Sequence, residues 1–246
     1  MTSERKRSGV RPNIAAILAG GIGRRTGGGL PKQFLPLAGK PVVAHTVEAF
    51  ERNANIDEVV IVSHADWMDR MRSVVEQTGA RKVKAVLAGG TERYDSSLAA
   101  IRYCGDREAN LLLHDAARPL VTQRIIDEVC ARLAGGAGAV NVTLPVVDTI
   151  VEVEDGHVVA MPDRSRLRRV QTPQGFRLDV IRKAYVLALA DAAFSATDDF
   201  GVVVRYLPEA VTALVDGDGR NLKLTYREDL PGLEAMLAAD GRKLFV

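Results

Sequence analysis

The chain has 246 residues, 47% of them hydrophobic and 26% charged, which is ample apolar material for one sizeable α/β domain and excludes a disordered chain. Lys and Arg number 33 against 31 Asp and Glu, a net charge of +2; this excludes a whole-molecule field built for nucleic acid or an anionic membrane, so any anion site must be local. Cys104 and Cys130 are too few for a disulfide framework and lack metal-ligand spacing, so both are expected as reduced thiols in a cytoplasmic protein. The run Arg5-Lys6-Arg7, with Arg11, is basic, but no apolar segment follows that could serve as a signal sequence or span a bilayer. Residues 1–12 are read as a flexible tail and 13–246 as a single domain.

In chain order, residues 13–18 (NIAAIL) form a short apolar run ending in Gly20-Gly21, the pattern of a buried strand feeding a loop. Residues 41–54 carry Val42, Val43, Val47 and Phe50 at helical spacing, and EVVIVS over 58–63 is a second buried strand. A helix over 66–78, a strand over 83–87, a helix over 96–104 and a strand over 110–113 follow. Strands alternating with helices imply βαβ units and a mostly parallel sheet covered on both faces, with ligands at the strands' carboxyl ends. Loops 19–32, 88–96 and 114–119 all follow predicted strands, so one crevice can receive all three.

The segment from Leu144 to Phe176 differs. Alternating stretches at 149–153 and 157–161 flank Asp155-Gly156, the pattern of a hairpin. Such an arm, spanning about 145–176 and dense in Arg164, Arg166, Arg168 and Arg169, packs poorly on its own core, and is expected to dock on a second copy; a solvated basic loop is the alternative. Residues 180–189 are read as a helix, 202–206 and 211–214 as short apolar runs, and 227–239 as a closing helix.

Three loops carry the chemistry. The first, AGGIGRRTGGGLPKQ, combines backbone freedom with cations: glycines let successive N–H groups face an anion, while Arg25 and Lys32 neutralise a polyphosphate. It fits a dinucleotide fingerprint poorly, because Thr26 stands where a third small residue is needed and the next strand ends in Ser63-His64 rather than an acid. A Walker loop fails outright, since Phe34 and Pro41 occupy its required positions around Gly39-Lys40. In HDAARP, Asp115 sits where a carboxylate holds Mg²⁺ against phosphate and Arg118 where a guanidinium clamps a second phosphate. The third loop, Gly89-Gly90 to Ser96, suits contacts with a base. His45, His64, His114 and His157 lack ligand spacing and are expected to be structural or surface residues.

Taken in order, AGGIGRR…LPKQF, GGTERYDS, HDAARP, DTI, QTPQGF, TDD and NLKLT over residues 18–225 resemble the cytidylyltransferases that act on polyol phosphates. The resemblance implies a Rossmann-like nucleotidyltransferase fold, a homodimer with interlocking arms, and Mg²⁺ with CTP. It implies that Arg25, Lys32 and Lys223 surround the triphosphate and the reacting phosphates, and that Ala19, Gly20, Gly90 and Ser96 bind cytidine, with Gly21 and Gly23 in the same Gly-rich loop. By the same resemblance Asp115 serves ribose and metal, and Arg118, Thr149, Arg164, Thr172 and Thr197 build the polyol-phosphate site, partly from the partner's arm.

Two departures stand out: Thr26 replaces the usual Met after the loop arginine, and glycines 27–29 loosen the loop. The blocks HDAARP, TDD and DRSRL…QTPQGF favour methylerythritol phosphate as acceptor, while ILAGG, LPKQFLPL and the stretch around Trp67 point toward ribitol phosphate. A non-catalytic nucleotide-binding protein is the remote alternative, against which stand all three loop cations.

Overall fold

The computed structural model describes residues 11–21, 29–90 and 92–243, with side chains as far as Ala239. Gly23, Arg25, Thr26 and most of the expected tail lie outside the described residues. β1 (Asn13–Ala19) is the innermost strand of the parallel half, and its alternation is decisive: Ala15, Ile17 and Ala19 pack into one core layer, Ile14, Ala16 and Leu18 into the other. After β1 come a small antiparallel pair, β2 (Pro36–Leu37) and β3 (Lys40–Pro41), then α1 (Val42–Arg52), β4 (Glu58–Ser63), α2 (Met68–Thr78), β5 (Val83–Ala88), α3 (Arg93–Cys104) and β6 (Asn110–Asp115).

The helix expected from 96 begins earlier, at Arg93. Glu92 and Asp95 form a reciprocal capping box, in which the Glu92 backbone N–H donates to Asp95 at 2.9 Å. The stretch 119–143, where no element is expected from the sequence, holds α4 (Gln123–Ala134), capped by the Thr122 hydroxyl, and the start of β7 (Ala139–Pro145). Next are the hairpin β8 (Glu152–Glu154) and β9 (His157–Ala160), then β10 (Arg168–Arg177), α5 (Leu178–Ala190), α6 (Asp199–Tyr206), β11 (Thr212–Asp216) and α7 (Leu230–Lys243). The apolar run at 202–206 is thus part of a helix, started by the Asp198 carboxylate accepting the Gly201 N–H at 2.8 Å. The projecting segment is shorter than the expected 145–176: Arg168 already pairs with Pro145, and residues 171–176 are buried in the sheet.

Seven strands form the main sheet in the order β11-β7-β10-β6-β1-β4-β5, all pairings parallel except those of β10, which runs antiparallel to both neighbours. Helices α1, α2 and α4 cover one face, and α3, α5 and α6 the other. From β1 the chain runs to β4 on one side of the sheet and from β6 to β7 on the other, so the loops after β1 and β6 part at a topological switch point. A third apolar cluster joins Leu35, Leu37 and Leu120 to Leu233 of α7, pinning the C-terminal helix beside the loop after β6. Among the described residues no helix is long and apolar enough to cross a membrane.

Contact between α4 and β10 depends on Gly175, where a Cβ would lie 2.5 Å from Val129 Cγ1 and 3.1 Å from Leu133 Cδ1. Gly175→Ala is expected to lower unfolding free energy by about 1–3 kcal/mol, the usual scale for overpacking, with α4 displaced. Urea unfolding followed by circular dichroism measures this, and an unchanged midpoint would refute it.

Candidate active site

The carboxyl ends of β1, β5 and β6 open into one cleft. Its walls include Ala19, Gly20 and Gly21 from the first loop, Lys32 and Gln33, then Gly90, Glu92, Arg93 and Ser96, then Asp115 to Ala117, and Lys223. The loops after β1 and β5 meet closely: a Cβ at Gly20 or at Gly89 would lie 2.7 Å from Ser96 Oγ, so both positions need glycine for the loops to approach. Gln33, buried and overlooked in the sequence, clamps the loop's start by donating to the Ala19 carbonyl at 2.8 Å and the Gly21 carbonyl at 3.0 Å. Lys32, its neighbour, faces the cleft, and Phe34 beyond it packs under Trp67 with ring centroids 5.5 Å apart.

Asp115 is the electrostatic centre. Lys223 Nζ lies 2.8 Å and Arg118 Nε 3.6 Å from its Oδ2, and Arg93 Nε lies 3.8 Å from its Oδ1. Burial alone would push this carboxyl up, but Lys223, Arg93 and Arg118 together hold it well below the usual carboxylate range. It is therefore an anion at every physiological pH.

A directed chain of hydrogen bonds sets the loop after β6. The Asp115 backbone N–H donates to Thr172 Oγ1 at 3.1 Å, and that hydroxyl meets His114 Nδ1 at 3.0 Å. The other ring nitrogen, Nε2, lies 3.1 Å from the Arg118 carbonyl, an acceptor only. With Nε2–H bound to that carbonyl, Nδ1 accepts from the Thr172 hydroxyl, and every donor in the chain has one acceptor. His114 is wholly buried against Phe50, and its pKa is pushed down to about 4 by that burial. The segment from Asn221 to Leu224 is laced onto the same loop: Arg118 Nη1 donates to the Asn221 carbonyl at 2.8 Å, Asn221 Nδ2 to the Thr172 carbonyl at 2.8 Å, and Leu224 N–H to the Ala117 carbonyl at 2.8 Å. This strap delivers Lys223 to Asp115.

Ala19, Gly20, Gly21, Lys32, Gly90, Ser96, Asp115 and Lys223 are thus brought to one cleft, while Gly23 and Arg25 lie outside the described residues. The five residues expected to build a polyol-phosphate site do not line this cleft in the single chain. Arg118 and Thr172 are engaged behind Asp115, where they hold the loop. Thr149 and Arg164 are exposed on the projecting segment, where Arg164 donates to the Val147 carbonyl at 2.9 Å, and Thr197 is exposed before α6. Glu92, Arg93 and Gln33 are cleft residues that sequence reasoning passed over; Arg93 and Gln33 stand within the quoted blocks GGTERYDS and LPKQF. Among the described residues no group of three or more His, Cys, Asp or Glu is placed to hold a metal.

Residues 14–239 match the family model of 2-C-methyl-D-erythritol 4-phosphate cytidylyltransferase, IspD. The chain belongs to the IspD family. The enzyme of that name from Thermobifida fusca is 46% identical over 235 residues, covering 92% of this chain and 94% of that one. A bifunctional ribulose 5-phosphate reductase/CDP-ribitol pyrophosphorylase from Haemophilus influenzae is 40% identical over 89% of this chain, which spans 46% of that longer protein. The crystal structure of 4-diphosphocytidyl-2C-methyl-D-erythritol synthase from Anaerococcus prevotii superposes with a TM-score of 0.80 at 25% identity, covering 93% and 96% of the two chains. The IspD family is one of cytidylyltransferases, in agreement with the activity and the favoured acceptor expected from the motifs.

The buried neutral His114 makes acid stability readable. The unfolded chain takes up a proton on this residue near pH 6.5, whereas the folded chain does so only near pH 4, so stability is complete above 6.5 and lost as pH falls toward 4. The slope from this residue approaches about 1.4 kcal/mol per pH unit. Equilibrium unfolding of His114→Gln from pH 7.5 to 4.5 is expected to be flatter by that amount, with His45, also lowered by burial, contributing alike to both proteins.

Proposed function

We propose that this IspD-family chain transfers CMP from CTP to 2-C-methyl-D-erythritol 4-phosphate with release of pyrophosphate, as a homodimer in the cytoplasm. The observation that carries this reading is the meeting of a glycine-walled cleft with Lys32, Lys223 and the anionic Asp115 at the switch point of the sheet. An acceptor phosphate oxygen attacks the α-phosphorus in line; the new P–O bond forms as the bond to the β-phosphate's bridging oxygen breaks, and pyrophosphate departs with the electron pair. The nucleophile is already anionic, so no proton needs removal and the chemistry asks for fixed positive charge on the equatorial oxygens. Lys32 and Lys223 supply it, with Arg25 of the Gly-rich loop as a third cation.

The donor set bears on the metal. Mg²⁺ commonly takes one or two carboxylates and completes its shell with water and substrate phosphates, and Asp115 suits that mode but not a cage made of protein alone. A nucleotide-borne Mg²⁺ would supply Lewis-acid withdrawal of charge from the phosphates. Asp115 would hold such a complex once Lys223 turns from its carboxylate to a phosphate.

The acceptor half is assigned to two chains. Half of the sixteen exposed large hydrophobics among the described residues lie within 147–170, with Val147, Val153, Val158, Val159 and Met161 each more than half exposed. A face of that size calls for a cover. A second copy, presenting its arm across the cleft, covers it and brings Thr149 and Arg164 to the acceptor while Thr197 approaches from the same chain. D-ribitol 5-phosphate is the second acceptor to test, because the Haemophilus influenzae relative is a CDP-ribitol pyrophosphorylase.

Pyrophosphate release with CTP and Mg²⁺, run in parallel with the two acceptors, tests the activity; silence with both despite CTP binding would overturn it. Lys32→Ala is expected to reduce kcat by about 10²–10³-fold, the scale of a lost preorganised donor, with an unchanged fold. Mixing inactive Lys32→Ala with inactive Arg164→Ala under subunit exchange should recover about one quarter of wild-type activity, because half the dimers then carry one intact site of two. No recovery would place Arg164 in its own chain's site.

A further inference from the structure

The pairing of Arg93 with Asp199 joins two sequence blocks, GGTERYDS and TDD, and nucleotidyl transfer as described makes no use of it. Asp199 is wholly buried, with its carboxylate bound on one oxygen by Arg93 Nη1 and on the other by the Tyr185 hydroxyl at 2.6 Å. The turn that presents it is itself fixed. Gln174 Nε2 donates to Asp198 at 2.8 Å and to Asn141 at 3.1 Å, and Gln174 Oε1 accepts the Phe200 N–H at 3.3 Å. A buried ion pair seldom adds net stability over an apolar pair of equal volume, and its best-attested use is to specify one arrangement among several.

The geometry shows what is being arranged. Arg93 lines the cleft, yet its Nε stands 3.8 Å from Asp115 Oδ1, beyond hydrogen-bond reach, while Lys223 occupies Oδ2 at 2.8 Å. Two carboxylates compete for one guanidinium, and the wholly buried Asp199 holds it.

We infer that Arg93 is a positioning residue, held back by Asp199 and Tyr185 so that Oδ1 of Asp115 stays available to the nucleotide. Without the charge on Asp199, Arg93 closes on Oδ1 and the cleft loses its acceptor. This deepens the proposed function and rests on the nucleotide occupying the cleft.

The test is CTP affinity, followed by calorimetry and by the fluorescence of Trp67, the single tryptophan, alongside the KM of each substrate. Asp199→Asn keeps shape and still accepts from Tyr185. It is expected to weaken CTP binding and raise the CTP KM about tenfold, which is one factor of ten in the equilibrium, while the acceptor KM moves less than about twofold. Tyr185→Phe should shift CTP affinity in the same direction by a smaller factor, and decides the matter if Asp199→Asn does not fold. The double variant Arg93→Gln with Asp199→Asn should bind CTP better than Asp199→Asn alone, since the intruding cation is gone; a merely structural pair predicts no such recovery. Folded Asp199→Asn with wild-type CTP affinity, or a double variant that binds no better, overturns the inference. Wild-type protein that fails to bind CTP takes down the nucleotide reading, and this inference with it.

Discussion

A carboxylate nine-tenths buried at the end of an interior strand is stable only if cations reach it and its neighbours are held in place. Asp115 meets that condition with three cations drawn from distant parts of the chain: Arg93 from the start of α3, Arg118 from its own loop and Lys223 from the strap before α7. Each of these segments is fixed for its own reason. The capping box of Glu92 and Asp95 sets where α3 begins, His114 and Thr172 set the loop, and Asn221 with Leu224 sets the strap. Moving any one displaces the charge balance at the carboxylate, so the cleft's electrostatics and its backbone are one constraint rather than two.

That constraint draws in two residues expected at the acceptor. A threonine and an arginine in motif blocks invite assignment to a ligand, and the resemblance placed Thr172 and Arg118 at the acceptor. In the folded chain the Thr172 hydroxyl lies between the Asp115 N–H and His114, and Arg118 binds the Asn221 carbonyl with its side chain largely buried. Both hold the loop that carries Asp115. Lys223 is the converse case: far from the other cations in sequence, it is carried into the cleft by backbone hydrogen bonds that no spacing rule could reveal.

The parallel half of the fold was legible because its strands are buried on both faces and read as continuous apolar runs bounded by glycine or polar residues, and its first two helices show apolar spacing. The region 119–143 was not, although Thr122 as a cap and Ile125, Ile126, Val129 and Leu133 at helical spacing carry the signal of a helix. β10 was harder. Residues 168–177 begin with two exposed arginines and end as a buried strand, and Pro173 breaks the ladder where its register with β7 shifts between Gln171 and Gly175. α6 was obscured by its brevity, with Val202, Val203 and Val204 reading as strand-like β-branched residues until the Asp198 cap fixes a helix. In the site, glycines and cations were found by type, whereas Gln33 and Arg93 work through partners distant in sequence, Gln33 with Ala19 and Arg93 with Asp199, and such pairings exist only in three dimensions.

The two halves of the proposed reaction rest on different kinds of structure. Nucleotide contacts come from strand ends and a buried ion network, where a shift of one side chain propagates through Asp115 to the rest. Acceptor contacts, on the proposed dimer, come from an exposed hairpin and a surface turn, whose side chains have few internal partners to disturb. Substitution is therefore far cheaper on the acceptor side than in the cleft. A fold partitioned in this way can keep CTP chemistry constant while its arm is altered to receive acceptors as different as methylerythritol phosphate and ribitol phosphate. The same partition explains why the motif blocks identified the transfer chemistry more sharply than the acceptor: the residues that constrain each other are those of the nucleotide half.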